Sequence, residues 1–234
     1  MAGTLYLIPV PLGPVDAEQC MPPATLTIAR QLDTYIVERA KTARLHLKAI
    51  GHPAPLQTLN ILELNEHTKA ADVAALLGPL EDGKDVGLMS EAGCPAVADP
   101  GAELVRAAHQ KGISVVPLVG PSSILLALMA SGLGGQRFCF HGYLPAKEPA
   151  RTKKIRELEA SAKKGASSQL FIETPYRSSA MLEALVAVLS PDTYISVSAD
   201  LTLPGQFVRT LPARNWKGES ASVRDRLVVF GIGT

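Results

Sequence analysis

The chain has 234 residues, 47% hydrophobic and 19% charged, a balance that excludes a disordered protein and leaves room for one large domain or two small ones. A formal net charge of +1 gives no global signal for nucleic acid or an anionic membrane. No apolar stretch approaches the roughly 20 residues that span a bilayer, and the amino terminus lacks a secretory signal pattern. Cys20, Cys94 and Cys139 are far apart and outside Cys-x-x-Cys spacing. They predict neither a disulfide framework nor a metal site, and a reducing, cytoplasmic setting.

In the first half, short apolar runs alternate with helical patterns. Residues 5–10 read as a strand with a proline-rich exit at Pro9, Pro11 and Pro14. A helix over 25–32, a short buried strand over 35–38 and a helix over 42–50 follow, the last stopped by Gly51, a usual C′ residue. Residues 59–64 form a predicted strand and 68–77 a helix with Thr68 as its candidate cap. The strand over 86–89 feeds a loop of small residues from Ser90 to Ala98. Asp99 suits the N-cap of the next helix and Pro100 its first position, where a missing N–H costs nothing. A helix over 103–109 and a strand over 114–119 complete this half. The alternation predicts a largely parallel sheet with helices on both faces, and ligands bind such sheets at the carboxyl ends of the strands.

At Gly120-Pro121-Ser122-Ser123 the chain enters a very apolar helix over 124–129, a pattern expected for a helix buried between layers. Its amino-terminal amides and the Ser122 and Ser123 hydroxyls are candidate ligand contacts. A strand over 138–141, a charged and mostly helical stretch over 145–164, a strand over 170–173 and a helix over 178–189 follow. Three strands, over 194–199, 206–210 and 226–232, predict an antiparallel finish. The domain boundary is expected near 117–121, giving α/β domains over 1–118 and 119–234. Lys147, Arg151, Lys153, Lys154, Arg156, Lys163 and Lys164 suit phosphates, but the interspersed Glu148, Glu157 and Glu159 equally describe a solvated helix with i,i+4 pairs. Aromatic residues, at 5%, leave little material for base stacking; Tyr143 and Tyr176 are the two that stand out.

Five segments, in order, resemble signatures of the tetrapyrrole methylase superfamily, in its branch that methylates ribose 2′-hydroxyls of small-subunit ribosomal RNA. They are Leu5-Tyr6-Leu7-Ile8-Pro9-Val10-Pro11-Leu12-Gly13; Ser90-Glu91-Ala92-Gly93-Cys94-Pro95 continuing to Asp99-Pro100-Gly101; Gly120-Pro121-Ser122-Ser123; Phe140-His141-Gly142-Tyr143-Leu144-Pro145-Ala146-Lys147; and Phe171-Ile172-Glu173-Thr174-Pro175-Tyr176-Arg177. One such block is weak evidence, but five in order are strong. The resemblance implies two α/β domains, S-adenosylmethionine bound in a cleft between them, and a homodimer. There are departures. The branch carries an acidic Glu-Asp pair followed by Thr-Arg after its second strand, whereas Glu38 here precedes Arg39, Ala40 and Lys41. Ala199-Asp200-Leu201-Thr202-Leu203-Pro204-Gly205 replaces a charged Thr-Lys segment, and the sequence stops at Thr234, where the branch continues into a further small domain. A short subgroup is therefore expected, and the ribosomal RNA acceptor carries over less well than the cofactor.

Methyl transfer from a sulfonium is an in-line displacement that depends on positioning, and small residues with bare backbone suit such a donor. The resemblance places it against Pro9, Leu12 and Gly13, against Ser90, Glu91, Ala92, Gly93, Pro95, Ala96 and Val97, against Ser122 and Ser123, and against Pro175 and Tyr176. Glu91 reads either as a ligand for ribose hydroxyls or ammonium or as a solvated loop residue. A hydroxyl acceptor benefits from a general base. Glu38, His67 and Glu173 are the catalytic candidates. His67 also reads as an ordinary helix-start histidine, and Glu66 as a first-turn acid favoured by the helix dipole. Glu173 also reads as the partner of Arg177 in an ion pair. Asp99 fits a cap better than a base. The expected acceptor is an RNA ribose or a small tetrapyrrole-like molecule, with neither DNA nor membrane as partner. Two rival readings are a catalytically silent, cofactor-binding dimeric regulator, motivated by Arg39-Ala40-Lys41, and a phosphate-binding protein. Glu91 and Asp99 weigh against the second, since negative charge repels phosphate.

Overall fold

The structure, a computed structural model, describes residues 2–65 and 67–234, with the backbone alone of Ala70. The reading of Glu66 falls outside the described residues. Two compact units result, one running through Ser122 and the other over Ser123–Thr234.

The first unit carries β1 (Thr4–Ile8), β2 (Thr34–Val37), β3 (Asn60–Glu63), β4 (Val86–Met89) and β5 (Ser114–Pro117) in the order β3-β2-β4-β1-β5. Every pairing is parallel. A sheet covered on both faces must be apolar on both, and the strands alternate between two cores. Ile8, Tyr35, Val37 and Met89 pack on one face under α1 (Pro23–Gln31) and α2 (Ala40–Ala49). Leu5, Ile36, Val86 and Leu88 pack on the other, under α3 (Ala70–Val73), α4 (Gly78–Glu81) and α5 (Ala102–Gln110). Each longer helix buries an i,i+4 stripe, Ala43 with Leu47 on α2 and Leu104 with Ala108 on α5. Gly51 ends α2 at φ 70°, with the His52 N–H donating to Leu47 O at 3.0 Å, the expected C′ geometry.

Three expectations for this unit fail for identifiable reasons. The helix over 68–77 is broken: α3 gives way to a 3₁₀ turn over Ala74–Leu77 before α4. Pro79 has no N–H to give to the turn below, so the chain tightens ahead of it. Thr68 does not cap; Lys69 holds the N-cap, and Thr68 Oγ1 instead accepts from the Asn65 N–H at 3.0 Å. Nor does Asp99 cap α5, whose N-cap is Gly101 with no side-chain cap bond. Ala96 and Ala98 adopt left-handed φ of 63° and 60° and turn the loop before the helix starts.

The second unit is a mixed sheet ordered β6-β7-β10-β8-β9. Its strands are β6 (Phe138–Tyr143), β7 (Ser168–Glu173), β8 (Tyr194–Ala199), β9 (Phe207–Pro212) and β10 (Val228–Gly233). β6 and β7 are parallel and the rest antiparallel. The helices α7 (Ala150–Gly165) and α8 (Ser178–Val188) cover one face through Ile155, Leu158, Ala162, Met181, Leu182 and Leu185. Phe171 and Phe230 stack beneath them with ring centroids 5.4 Å apart. Two 3₁₀ turns that the sequence pattern does not announce, Ala213–Trp216 and Ser220–Val223, bury Trp216 and Val223 in the same core. On the other face lies α6 (Ser123–Ser131), with Ile124 and Leu128 against Leu170. This helix is buried on one side only: Leu125 is 52% and Met129 80% exposed. Among the described residues, no helix is long and apolar enough to cross a membrane.

Candidate functional site

Five parallel strands bring their following loops to one edge of the first sheet. The strand order sets the long β4 loop at the centre. The loops after β1 and β5 lie to one side of it, and those after β2 and β3 to the other.

On the β1/β5 side the loops are sewn together by backbone. Val10 N–H donates to Gly93 O at 2.9 Å and Gly93 N–H to Val10 O at 3.1 Å. Gly93 sits at φ 74°, a conformation that favours glycine, and a Cβ there would stand 3.3 Å from Leu12 Cδ2, which would have to give by a few tenths of an ångström. Cys94 Sγ reaches Pro121 O at 3.5 Å. A Cβ on Gly120 would fall 2.5 Å from Pro9 Cβ. Two residues outside the sequence-derived set hold this assembly from behind. Thr25, buried on α1, donates its hydroxyl to Val119 O at 2.7 Å, and His46 Nε2 on α2 donates to Glu91 O at 3.2 Å. Both contacts are long-range and leave no local pattern in the sequence.

The structure thus gathers Pro9, Leu12, Ser90, Glu91, Ala92, Gly93, Pro95, Ala96 and Val97 around three adjacent strand ends, followed in the chain by Gly13 and Ser122. Pro9, Gly93 and Pro95 are buried, Leu12, Gly13, Glu91, Ala96 and Ser122 half-buried, and Ala92 and Val97 exposed. Ala96 and Ala98 in left-handed backbone cost roughly 1–2 kcal/mol each, strain of the kind that collects in ligand loops.

On the β2/β3 side, Glu38, Leu64, Leu88, Met89, Ser90, Asp99 and Pro100 line a small recess. Ser90 is 7% exposed, and its hydroxyl makes no hydrogen bond of ordinary geometry, although it lies near enough to Asp99 to favour the ionised carboxylate. Burial outweighs that contact, and with repulsion from Glu91 it pushes the Asp99 carboxyl above its usual range. His67 is exposed, and its N–H closes an Asx turn on Asn65 Oδ1 at 3.0 Å.

The remaining sequence-derived positions lie on the second unit. Ser123 is the first residue of α6. Glu173 ends β7 with a fully buried side chain. Its Oε1 accepts from Thr174 N–H at 2.7 Å and its Oε2 lies 2.8 Å from Arg177 Nη2. The angle at Arg177 is outside hydrogen-bond geometry, so the contact is an ion pair, the alternative the sequence left open. Pro175 is half-buried, and Tyr176 is 76% exposed in the turn that follows. The basic stretch is paired in part, Arg151 with Glu148 at 3.0 Å and Lys163 with Glu159 at 3.0 Å.

The described edge of the first sheet suits a small ligand held largely by main chain. Gly93 leaves backbone bare between two stitched loops, and Ser90 keeps a buried hydroxyl without a full partner.

Known proteins resemble this chain in sequence and in fold. The profile of the family described as Tetrapyrrole (Corrin/Porphyrin) Methylases matches residues 4–215. A protein of Escherichia coli O157:H7 named ribosomal RNA small subunit methyltransferase I is 33% identical over 211 residues, covering 90% of this chain and 69% of that protein. One of the same name from Pasteurella multocida is 31% identical over 224 residues, covering 94% and 75%. The crystal structure of the methyltransferase CobJ superposes with a TM-score of 0.65 at 20% identity, covering 100% of this chain and 95% of the other, and so shares the fold.

Proposed function

The chain belongs to the tetrapyrrole methylase family and is a methyltransferase, and from that premise we propose that it takes its methyl group from S-adenosylmethionine and delivers it to a ribose 2′-hydroxyl of small-subunit ribosomal RNA. The observation that carries the donor assignment is the Val10–Gly93 bridge with its neighbours Cys94 and Pro121. It builds a rigid shelf of bare backbone at three adjacent strand ends, where open α/β sheets hold ligands. Pro9, Leu12 and Gly13, the run from Ser90 to Val97, and Ser122 would hold the donor, with Glu91 suited to its hydroxyls or ammonium. When bound, the cofactor supplies a methyl group made electrophilic by its sulfonium. The protein contributes alignment and exclusion of water, effects worth several kcal/mol in a displacement of this kind. The names of the relatives support the RNA acceptor, and the reading places the protein in the cytoplasm.

A second copy of the chain is part of this reading. Leu125 and Met129 stand one turn apart on α6 and expose apolar surface that a monomer gains nothing by keeping. The rival, a cofactor-binding regulator without catalysis, rests on Arg39-Ala40-Lys41, where Ala40 N–H now donates to Glu63 Oε1 at 2.9 Å.

Calorimetry with S-adenosylmethionine and S-adenosylhomocysteine tests the donor. Binding of both at micromolar to submillimolar concentration is expected; heat from neither at millimolar concentration would remove the proposal.

A further inference from the structure

We propose that the solvent face of α2, with Arg39 at its start, is the surface on which the phosphate backbone of the acceptor RNA docks. The inference rests on the ribosomal RNA reading above and adds the place on the chain where that RNA is held.

Charge is spread unevenly along the sequence. The whole chain has a formal net charge of +1, yet residues 39–62 hold Arg39, Lys41, Arg44 and Lys48, with His46 and His52, and not one carboxylate. Helical geometry collects these cations. Positions 41, 44 and 48 of α2 follow one another at i,i+3 and i,i+4 and fall on a single face, a stripe about 10 Å long. The opposite face is buried in the core through Ala43 and Leu47. Arg39, Lys41, Arg44 and Lys48 are all exposed, and none of their side chains has an ion pair or hydrogen bond among the described residues. Arg39 stands where the resembled branch has a second acid, so that departure adds a cation at the head of the stripe.

α7 is the contrast. It is also rich in cations, but Arg151, Lys154 and Lys163 are held by Glu148, Glu157 and Glu159. The carboxylates near α2 are engaged elsewhere: Glu18 pairs with Arg30 on α1, and Glu63 Oε1 accepts from the Ala40 N–H at 2.9 Å. Like charges at the spacings of Lys41, Arg44 and Lys48 destabilise a helix. A bound polyanion removes that repulsion and releases its own counterions. Position fits the same partner. α2 follows the carboxyl end of β2, on the edge of the sheet that carries the proposed donor loops. His46, on the same helix, donates to Glu91 O at 3.2 Å, so the stripe is tied to the β4 loop by its own helix. An anionic membrane is the rival partner and fits less well. A helix lying in a bilayer interface needs a broad apolar face, and on the exposed side of α2 Leu45, 61% exposed, is the one large apolar side chain.

Binding of the full chain to purified small ribosomal subunits at stepped salt reads the contact directly. The variant K41Q/R44Q/K48Q removes the stripe with a residue that keeps helix propensity. K153Q/R156Q/K164Q removes the same charge from the exposed side of α7. The α2 variant should bind subunits ~10-fold or more weakly, and its plot of log affinity against log salt should be shallower by about 2–3. Its KM for subunits in methyl transfer should rise by a similar factor, while kcat and the calorimetric affinity for S-adenosylmethionine stay within about threefold of wild type. The α7 variant should stay within about threefold throughout. If the triple α2 variant does not fold, the single variants K41Q, R44Q and K48Q carry the decision, each lowering the salt slope by about 1. An α2 variant with wild-type slope and KM overturns the proposal alone, as do equal losses in the α2 and α7 variants. So does capture of the wild type, and not of the α2 variant, by phosphatidylglycerol vesicles with subunit binding unchanged. A wild type that neither binds nor methylates subunits overturns the acceptor reading and this proposal with it.

Discussion

Val10 and Gly93 exchange both of their backbone hydrogen bonds, at 2.9 and 3.1 Å, across loops that leave adjacent parallel strands. This pair fixes the β4 loop against the exit of β1, and with it the backbone surface proposed to hold the methyl donor.

Gly93→Val should therefore damage binding more than folding. A side chain at φ 74° costs about 1–2 kcal/mol, and the new Cβ presses Leu12. The control is Gly112→Ala, also at positive φ (69°) but with nothing within 4 Å of an added Cβ. Urea unfolding should show comparable stability losses in the two variants. Calorimetry should show donor affinity falling ~10-fold or more in Gly93→Val only. Equal affinities would mean that the loop does not carry the donor.

Glu159 predicts an acid-sensitive tie between α7 and the loop before β8. Burial works against its charge, but hydrogen bonds from Thr193, from Lys163 at 3.0 Å and from Ser190 N–H at 2.9 Å outweigh it and hold the carboxyl down to about 2. A depressed folded-state pKa stabilises above the unfolded value and loses that contribution as pH falls. The loss should run from about pH 4.5 to about pH 2. Glu159→Gln should cost about 1–3 kcal/mol at pH 7 and flatten that part of the stability profile, as followed by chemical unfolding at stepped pH.

Arg177→Met should leave the carboxylate of Glu173, which has no exposed side-chain surface, without its cation. Removing one partner of a buried pair costs about 3–5 kcal/mol. The double variant Glu173→Gln with Arg177→Met should recover much of that. Denaturant midpoints of the three variants measure the coupling, and additive losses would show that the two residues act independently.

Tyr176→Ala removes a ring that is 76% exposed. It should change stability by no more than about 0.5 kcal/mol. If the turn after β7 contacts donor or acceptor, the same variant should raise KM several-fold in a transfer assay. An unchanged KM would take Tyr176 out of the site.

The sequence disclosed much of this through patterns that are local. Alternation of apolar runs with amphipathic stretches located the strands to within a residue or two: Val86–Met89 is apolar and buried on both faces, and Tyr194–Ala199 sets apolar Ile195, Val197 and Ala199 between the small buried Ser196 and Ser198. Gly51 was readable as a helix stop because its φ of 70° is a local demand. What stayed hidden depends on distance in the chain. Nothing near His46 announces a bond to Glu91 O, or near Thr25 a bond to Val119 O. Asp99 misled for the converse reason. Asp-Pro-Gly satisfies the local rules for a helix start, but the left-handed Ala96 and Ala98 redirect the loop and place its carboxylate in the recess with Ser90. Pro79 likewise overrode an apolar periodicity that read as one continuous helix over 68–77.

The most direct test of the central claim is methyl transfer from labelled S-adenosylmethionine to purified small ribosomal subunits, with the product digested to nucleosides and resolved by mass spectrometry. The account predicts label in ribosomal RNA, on a single ribose 2′-oxygen, lost in Gly93→Val. Label confined to a base, to protein or to a small molecule, or no label at all from a protein that binds the cofactor, would contradict it.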